Sequence, residues 1–129
     1  MKLLLDTHIW LWSLIEPHRL GSRTRAELQN TANELWLSPI STWEALMLHD
    51  KKRVFLADDA NAWISRNTAP FREAVLTHEI ATTARSLPLV HRDPADRFLA
   101  ATAKVLGLTL VTADANLLGL GDIATLANR

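Results

Sequence analysis

Four carboxylates hold the positions in this 129-residue chain from which chemistry is expected. Asp6 directly follows the apolar run Leu3-Leu4-Leu5, and Asp114 comes shortly after a second run, Leu108-Thr109-Leu110-Val111. Glu44 lies within a helical stretch that follows Leu35-Trp36-Leu37, and Asp96 lies in the first turn of a helix opened by Pro94. In open parallel sheets the functional crevice lies beyond the carboxyl ends of the strands, so acids that follow strands are read first. An ordinary explanation stands beside the functional one. An Asp between strand and helix caps the helix or occupies its first turn, which covers Asp6, Asp96 and Asp114. Glu44 falls outside it, because its neighbours three and four residues away are Ile40, Ser41, Met47 and Leu48. A carboxylate set into such a face is paired with a cation such as Arg, protonated, or bound to a metal.

If the four acids converge, they raise one another's pKa values, and the site is unfavourable until a cation neutralises it. The donors are hard oxygens, with no cysteine and no helical pair of histidines beside them. Such a set fits Mg²⁺, with Mn²⁺ able to substitute, far better than zinc. That kind of ion activates a water and neutralises a phosphoryl oxygen during in-line displacement, so phosphodiester hydrolysis is the expected reaction class.

The elements that must position these acids follow from the hydrophobic pattern. Residues 3–5, 35–37 and 108–111 are short apolar runs without polar alternation, as in strands covered on both faces, and 73–76 is a less apolar fourth candidate. Helical stretches lie between them. Residues 8–15 are apolar nearly all round, and 23–31 are polar and expected to be exposed. Residues 40–48 carry Ile40, Trp43 and Met47 on one stripe, 58–67 carry Ala60, Trp63 and Ile64, and 78–87 are rich in Ala and Thr. Asp93 is the expected N-cap of the next helix, with Pro94 at its first position and Gly107 at its stop. Asp96 lies beside the charged line of Asp93, Arg97 and Lys104, at the border of core and solvent. Strands alternating with helices and no hairpin signal read as an α/β fold with a mainly parallel sheet and helices on both faces.

Composition narrows the function further. The length suits one domain spanning 1–129, and 48% hydrophobic with 22% charged residues excludes a disordered or fibrous chain. Fourteen Lys+Arg balance fourteen Asp+Glu, so any contact with nucleic acid must be local. The absence of cysteine removes disulfides, thiolate zinc sites and iron–sulfur clusters. The run Met1 to Leu5 meets Asp6 too soon for a signal peptide or membrane span, so a cytoplasmic protein without a membrane partner is expected. The five histidines are scattered, His8 and His91 flanking motif acids, and read as structural or surface residues. Lys51-Lys52-Arg53 and the group Arg19, Arg23 and Arg25 are either solvated faces or contacts for RNA phosphates. Trp10, Trp12, Trp43 and Trp63 fall on helical stripes and read as core or interface in preference to base-stacking platforms.

Taken together, the segments resemble the PIN-domain nucleases, and among them the VapC-type ribonuclease toxins of bacterial toxin–antitoxin pairs. Leu3-Leu4-Leu5-Asp6-Thr7-His8 looks like the family's opening and Ser38-Pro39-Ile40-Ser41-Thr42-Trp43-Glu44 like its second acidic motif. His91-Arg92-Asp93-Pro94-Ala95-Asp96-Arg97 and Leu110-Val111-Thr112-Ala113-Asp114 look like the third and fourth. The blocks run in order over about residues 1–118, and the combination is more specific than any one of them. The resemblance implies a three-layer α/β/α domain with a central sheet of four to five strands. It also implies a metal-dependent endoribonuclease with one or two Mg²⁺ or Mn²⁺ ions. Asp6 and Asp96 would be the primary ligands, with Glu44 and Asp114 completing the cluster directly or through water and Thr112 hydrogen-bonding within it. Family members typically form homodimers and are silenced by an antitoxin whose C-terminal segment enters the active-site groove. The surplus of apolar helix surface is expected to supply both a dimer face and that groove. Two departures stand out: Ala95 replaces a bulky or aromatic residue, and Thr102 replaces a common glutamine. Both are expected to alter packing or substrate fit more than metal binding.

Other assignments compete. A haloacid-dehalogenase-like phosphatase needs a second Asp two residues after the first, where this chain has His8. A receiver-type phosphoacceptor needs paired acids after its first strand, and they are absent. A non-catalytic protein-binding module, in which the acids only cap helices, and a housekeeping RNA-processing nuclease remain as alternatives.

Overall fold

Leu3, Leu4 and Leu5 are almost wholly buried, and they form the central strand of the sheet because neither face of that strand meets water. The computed structural model describes residues 1–89 and 93–129, so His91 and Arg92 of the third motif block lie outside the described residues. Strand β1 (Lys2–Leu5) leads into α1 (Thr7–Ile15), then α2 (Ser22–Gln29), β2 (Glu34–Leu37), α3 (Pro39–Asp50) and α4 (Ala60–Thr68). The chain continues through β3 (Arg72–Glu73), α5 (His78–Ser86), α6 (Pro94–Leu106), β4 (Thr109–Thr112), α7 (Ala115–Leu118) and β5 (Thr125–Ala127).

All pairings are parallel, in the order β3-β2-β1-β4-β5. In register, Leu4 stands beside Trp36 on one side and Leu110 on the other. Strand order runs outward from β1 to β3, and the chain then returns to place β4 on the other flank of β1. The switch point therefore lies between β1 and β4, where an open parallel sheet forms its crevice. Side-chain alternation divides the core into two layers. Leu4 and Leu110 pack with Ile80 of α5 and Leu99 and Ala100 of α6. Leu3, Leu5 and Val111 pack on the opposite face with Ile9 and Trp10 of α1, Ala45 of α3 and Trp63 of α4.

Several expectations need correction. The fourth strand candidate shares only Glu73 with β3, and β5 and α7 were not foreseen. On α3 the buried face is Ser41, Glu44 and Ala45, whereas Trp43 of the proposed core stripe is 54% exposed. The reason is helix geometry: α3 packs against α1 and α6, and Trp43 stands about 200° around the helix from the buried Ala45. Arg97, on the charged line of α6, turns inward to a specific set of acceptors. Its guanidinium donates to the carbonyls of Ala84 (3.0 Å) and Leu87 (3.2 Å) as well as Leu89, tying the end of α5 to α6. Helix α6 starts and stops as expected, with Asp93 accepting from the Ala95 amide at 3.0 Å and Gly107 in the left-handed conformation at φ 65°.

The polar helix α2 is exposed apart from Thr24 and the half-buried Glu27 and Leu28, and the segment after β5 holds it in place. Asn128 accepts from the Gly21 amide at 2.9 Å, and the Arg129 carbonyl accepts from the Thr24 amide at 3.0 Å. A Cβ on Gly21 would lie 1.5 Å from the Arg129 carbonyl carbon, so only glycine admits this approach. Among the described residues no helix is long and apolar enough to cross a membrane.

Candidate active site

Each acid arrives at the same end of the sheet by a different element. Asp6 is the first residue after β1, and its carboxylate is held on both oxygens: Oδ1 accepts from the Thr7 amide at 2.8 Å, capping α1, and Oδ2 accepts from the Thr112 hydroxyl at 2.6 Å. Thr112 ends β4, so this bond spans the switch point. Two residues on, the Asp114 amide donates to the Thr112 hydroxyl oxygen at 3.0 Å, and Asp114 Oδ1 caps α7 through the Asn116 amide at 2.8 Å. Asp96 sits in the first turn of α6. Glu44 projects from the middle of α3, and its Oε1 accepts from the Thr7 hydroxyl at 2.5 Å. That hydroxyl also lies 2.8 Å from the Ser41 hydroxyl.

The result is one cavity of about 330 Å³ lined by Asp6, Glu44, Asp93, Asp96 and Asp114, with His8, Trp12 and Ala113 completing its wall. All four acids singled out in the sequence are brought together there, and Thr112 stands behind them on Asp6. The two explanations offered for the aspartates turn out to be compatible. Asp6 and Asp114 cap helices and also face the cavity, because parallel strands deliver helix N-termini to the same edge, where unpaired amide ends favour negative charge.

Crowding has an electrostatic cost. Asp6, Glu44 and Asp96 are only 6%, 8% and 7% exposed. Burial pushes the Asp6 carboxyl above its ordinary range against the opposing hydrogen bond from Thr112. Burial likewise raises Glu44, opposed by the Thr7 hydroxyl and reinforced by the charges of Asp93 and Asp6. Asp96 is pushed up to about 8, first by burial and then by the charges of Asp6, Asp93, Asp114 and Glu44. A divalent cation relieves this kind of strain, and the donors are the hard oxygens it prefers. Among the described residues no three of these groups already stand as a ready metal-holding set. The carboxylates surround a space, with Asp6 and Glu44 engaged by their threonines.

Three contributors escaped the sequence reading. Asp93 both caps α6 and lines the cavity, the Thr7 hydroxyl holds Glu44, and the Ser41 hydroxyl contacts that of Thr7. The available signal was a hydroxyl residue directly after Asp6 and another three residues before Glu44, on the face that bears it. His49 proves structural, its Nδ1 accepting from the Leu56 amide at 3.2 Å.

The model of the PIN domain family matches residues 3–122. The chain belongs to the PIN-domain family. Within it, this PIN domain is 36% identical over 115 residues to Ribonuclease VapC22 of Mycobacterium tuberculosis, covering 88% of each chain. The same fold occurs in the DNA-bound VapBC structure from Salmonella typhimurium, with a TM-score of 0.76 at 15% identity over 100% of this chain and 99% of that one. It occurs again in VapBC2 of Rickettsia felis bound to a promoter DNA fragment, with a TM-score of 0.74, 15% identity and 98% coverage of both chains. At that identity the two structures establish the fold alone. The departures of this PIN domain from the family pattern fall inside α6: Ala95 and Thr102 are buried, and the Thr102 hydroxyl donates to the Phe98 carbonyl at 2.6 Å.

Proposed function

We propose that this PIN domain is a divalent-metal-dependent endoribonuclease acting as a single domain, the toxin of a toxin–antitoxin pair. One observation supports this above the others: Asp6, Glu44, Asp96 and Asp114, from four separate segments, line one cavity at the switch point. Similarity to a protein named a ribonuclease supplies the reaction class. Asp6 and Asp96 would hold the ion, Mg²⁺ or Mn²⁺, with Glu44 and Asp114 completing its shell directly or through water. A bound ion of this kind supplies an activated water and neutralises charge on the phosphoryl oxygen under attack.

The remaining work belongs to the chain. Thr112 fixes the rotation of the Asp6 carboxylate, and Thr7 fixes that of Glu44, so both are held before substrate arrives. Asp93 adds negative charge at the rim, strengthening the demand for a cation. The family resemblance favours an antitoxin as the silencing partner, a homodimer as the working form and cellular RNA in the cytoplasm as the substrate, and a toxin-antitoxin complex from Klebsiella pneumoniae shares the fold.

The test is cleavage of total cellular RNA by the purified protein with Mg²⁺ or Mn²⁺, beside a chelator control and Asp96→Asn. Discrete metal-dependent products that vanish in the variant are expected. Products that persist in Asp96→Asn, or no products under any metal condition, would overturn the assignment.

A further inference from the structure

The acid-lined cavity does not end at its own wall. His8 and Trp12, which close one side of it, are also the first residues of a second cavity of about 540 Å³ that runs between the end of α1 and the loop after α3. That cavity in turn shares Arg53, Val54 and Phe55 with a third, about 550 Å³, that includes Lys52. The three cavities adjoin along these shared walls, and together they form a groove that leads from the acids to Lys52 and Arg53 of the basic run. Of the two basic groups in the sequence, Lys52, Arg53 and Arg19 border the groove, whereas Lys51, Arg23 and Arg25 do not line it.

The groove sets flat rings beside cations, with two carboxylates also on its walls: Glu16, paired with Arg19 at 3.2 Å, and Asp50. Trp12 lies 5.8 Å from the His8 ring and carries the Arg19 guanidinium 5.2 Å above its face. Phe55 is 69% exposed and stands 5.8 Å from the His49 ring. An exposed aromatic face such as that of Phe55, beside arginine and lysine, is what single-stranded nucleic acid uses, bases stacking on the ring and phosphates meeting the cations. A polymer cut at the acids must leave their small cavity, and this groove adjoins it.

One backbone detail points the same way. Lys52 holds a left-handed conformation at φ 58°. It closes α3 with its amide donating to the His49 carbonyl at 3.0 Å and the Arg53 amide to that of Leu48 at 2.9 Å. Glycine takes that position without strain. The chain instead keeps a cation there, at the mouth of the groove.

We infer that single-stranded RNA leaves the acid cluster along this groove, stacking a base on Phe55 and placing phosphates against Arg53 and Lys52. The inference rests on the nuclease reading and adds the path of the substrate. It is tested with a fluorescent random-sequence single-stranded RNA, its binding measured by anisotropy to full-length Asp96→Asn protein, so that cleavage does not intervene. Adding Phe55→Ala or Arg53→Glu should weaken binding about tenfold or more, while melting temperatures stay close to that of Asp96→Asn. Adding Lys52→Gly should raise the melting temperature and still weaken binding, and Arg23→Glu should change neither.

Unchanged affinity in both Phe55→Ala and Arg53→Glu would overturn the groove, and metal-dependent cleavage by the parent protein would then leave the nuclease reading standing. Unchanged RNA affinity together with lost binding of a partner protein would give the groove to a protein segment and equally overturn the inference. No RNA binding and no cleavage by the parent would remove both.

Discussion

The middle of β1 and the residues just beyond it are equally dry and opposite in energetics. Leu3, Leu4 and Leu5 are at most 1% exposed and packed in apolar layers, whereas Asp6 and Thr7, the next two residues, are just as withdrawn from water but polar. Burial stabilises the first group and raises the Asp6 carboxyl in the second. The strand is thus built for stability to within one residue of a carboxylate cluster whose charge opposes folding. Such local conflict is characteristic of functional sites.

Breaking the apolar side should give the largest effect on stability. Leu4→Ala removes a side chain enclosed by Leu99, Ala100 and Leu110, and a loss of about 2–5 kcal/mol is expected in chemical denaturation.

The acid side should respond with opposite sign. Asp96 has its pKa raised from 3.8 to about 8 on folding, so the native state binds the extra proton. Its contribution to stability is therefore fully present below 3.8 and lost as pH rises through about 8. Metal-free protein should melt at progressively lower temperature across that window. Asp96→Asn should flatten the dependence and melt higher than the parent at pH 8, and a parent with no such slope would contradict the electrostatic account.

The smallest effect concerns the hydroxyls between the two regions. Thr7→Val removes the donor to Glu44 while keeping the side chain's shape, at a cost of about 1 kcal/mol. It should weaken Mn²⁺ binding measured by calorimetry, and Thr7→Ser should restore it. Equal Mn²⁺ affinity in all three proteins would reduce Thr7 to a packing residue.

What was legible in the sequence follows from which physics leaves a pattern. Asp6 and Asp114 end or follow apolar runs, and Glu44 interrupts an apolar helix face, so local contrast exposed them. Asp93 and Asp96, either side of Pro94-Ala95, marked a helix start plainly. The alternation of runs and helices carried the parallel topology. Other features leave no such trace. Strand β5, three residues long, is held by its pairing with β4 and by the staple from Asn128 and Arg129 to α2. Trp43 is large and apolar and so reads as core, but the face of α3 that is buried is that of Ser41, Glu44 and Ala45, and which face packs is a tertiary matter. Arg97 shows in the sequence only as part of a charged line, and its carbonyl partners Ala84 and Leu87 come from a different helix and its end.

The most direct test of the central claim, that these acids form one cation-dependent site, is the melting temperature of the parent protein and of Asp6→Asn as Mn²⁺ is added. A ligand that binds only the native state raises stability by mass action, about 2.7 kcal/mol at one hundred times its Kd. A saturable rise in the parent that disappears in Asp6→Asn is the expected result. An equal rise in both proteins, or none in the parent at millimolar Mn²⁺, would contradict it.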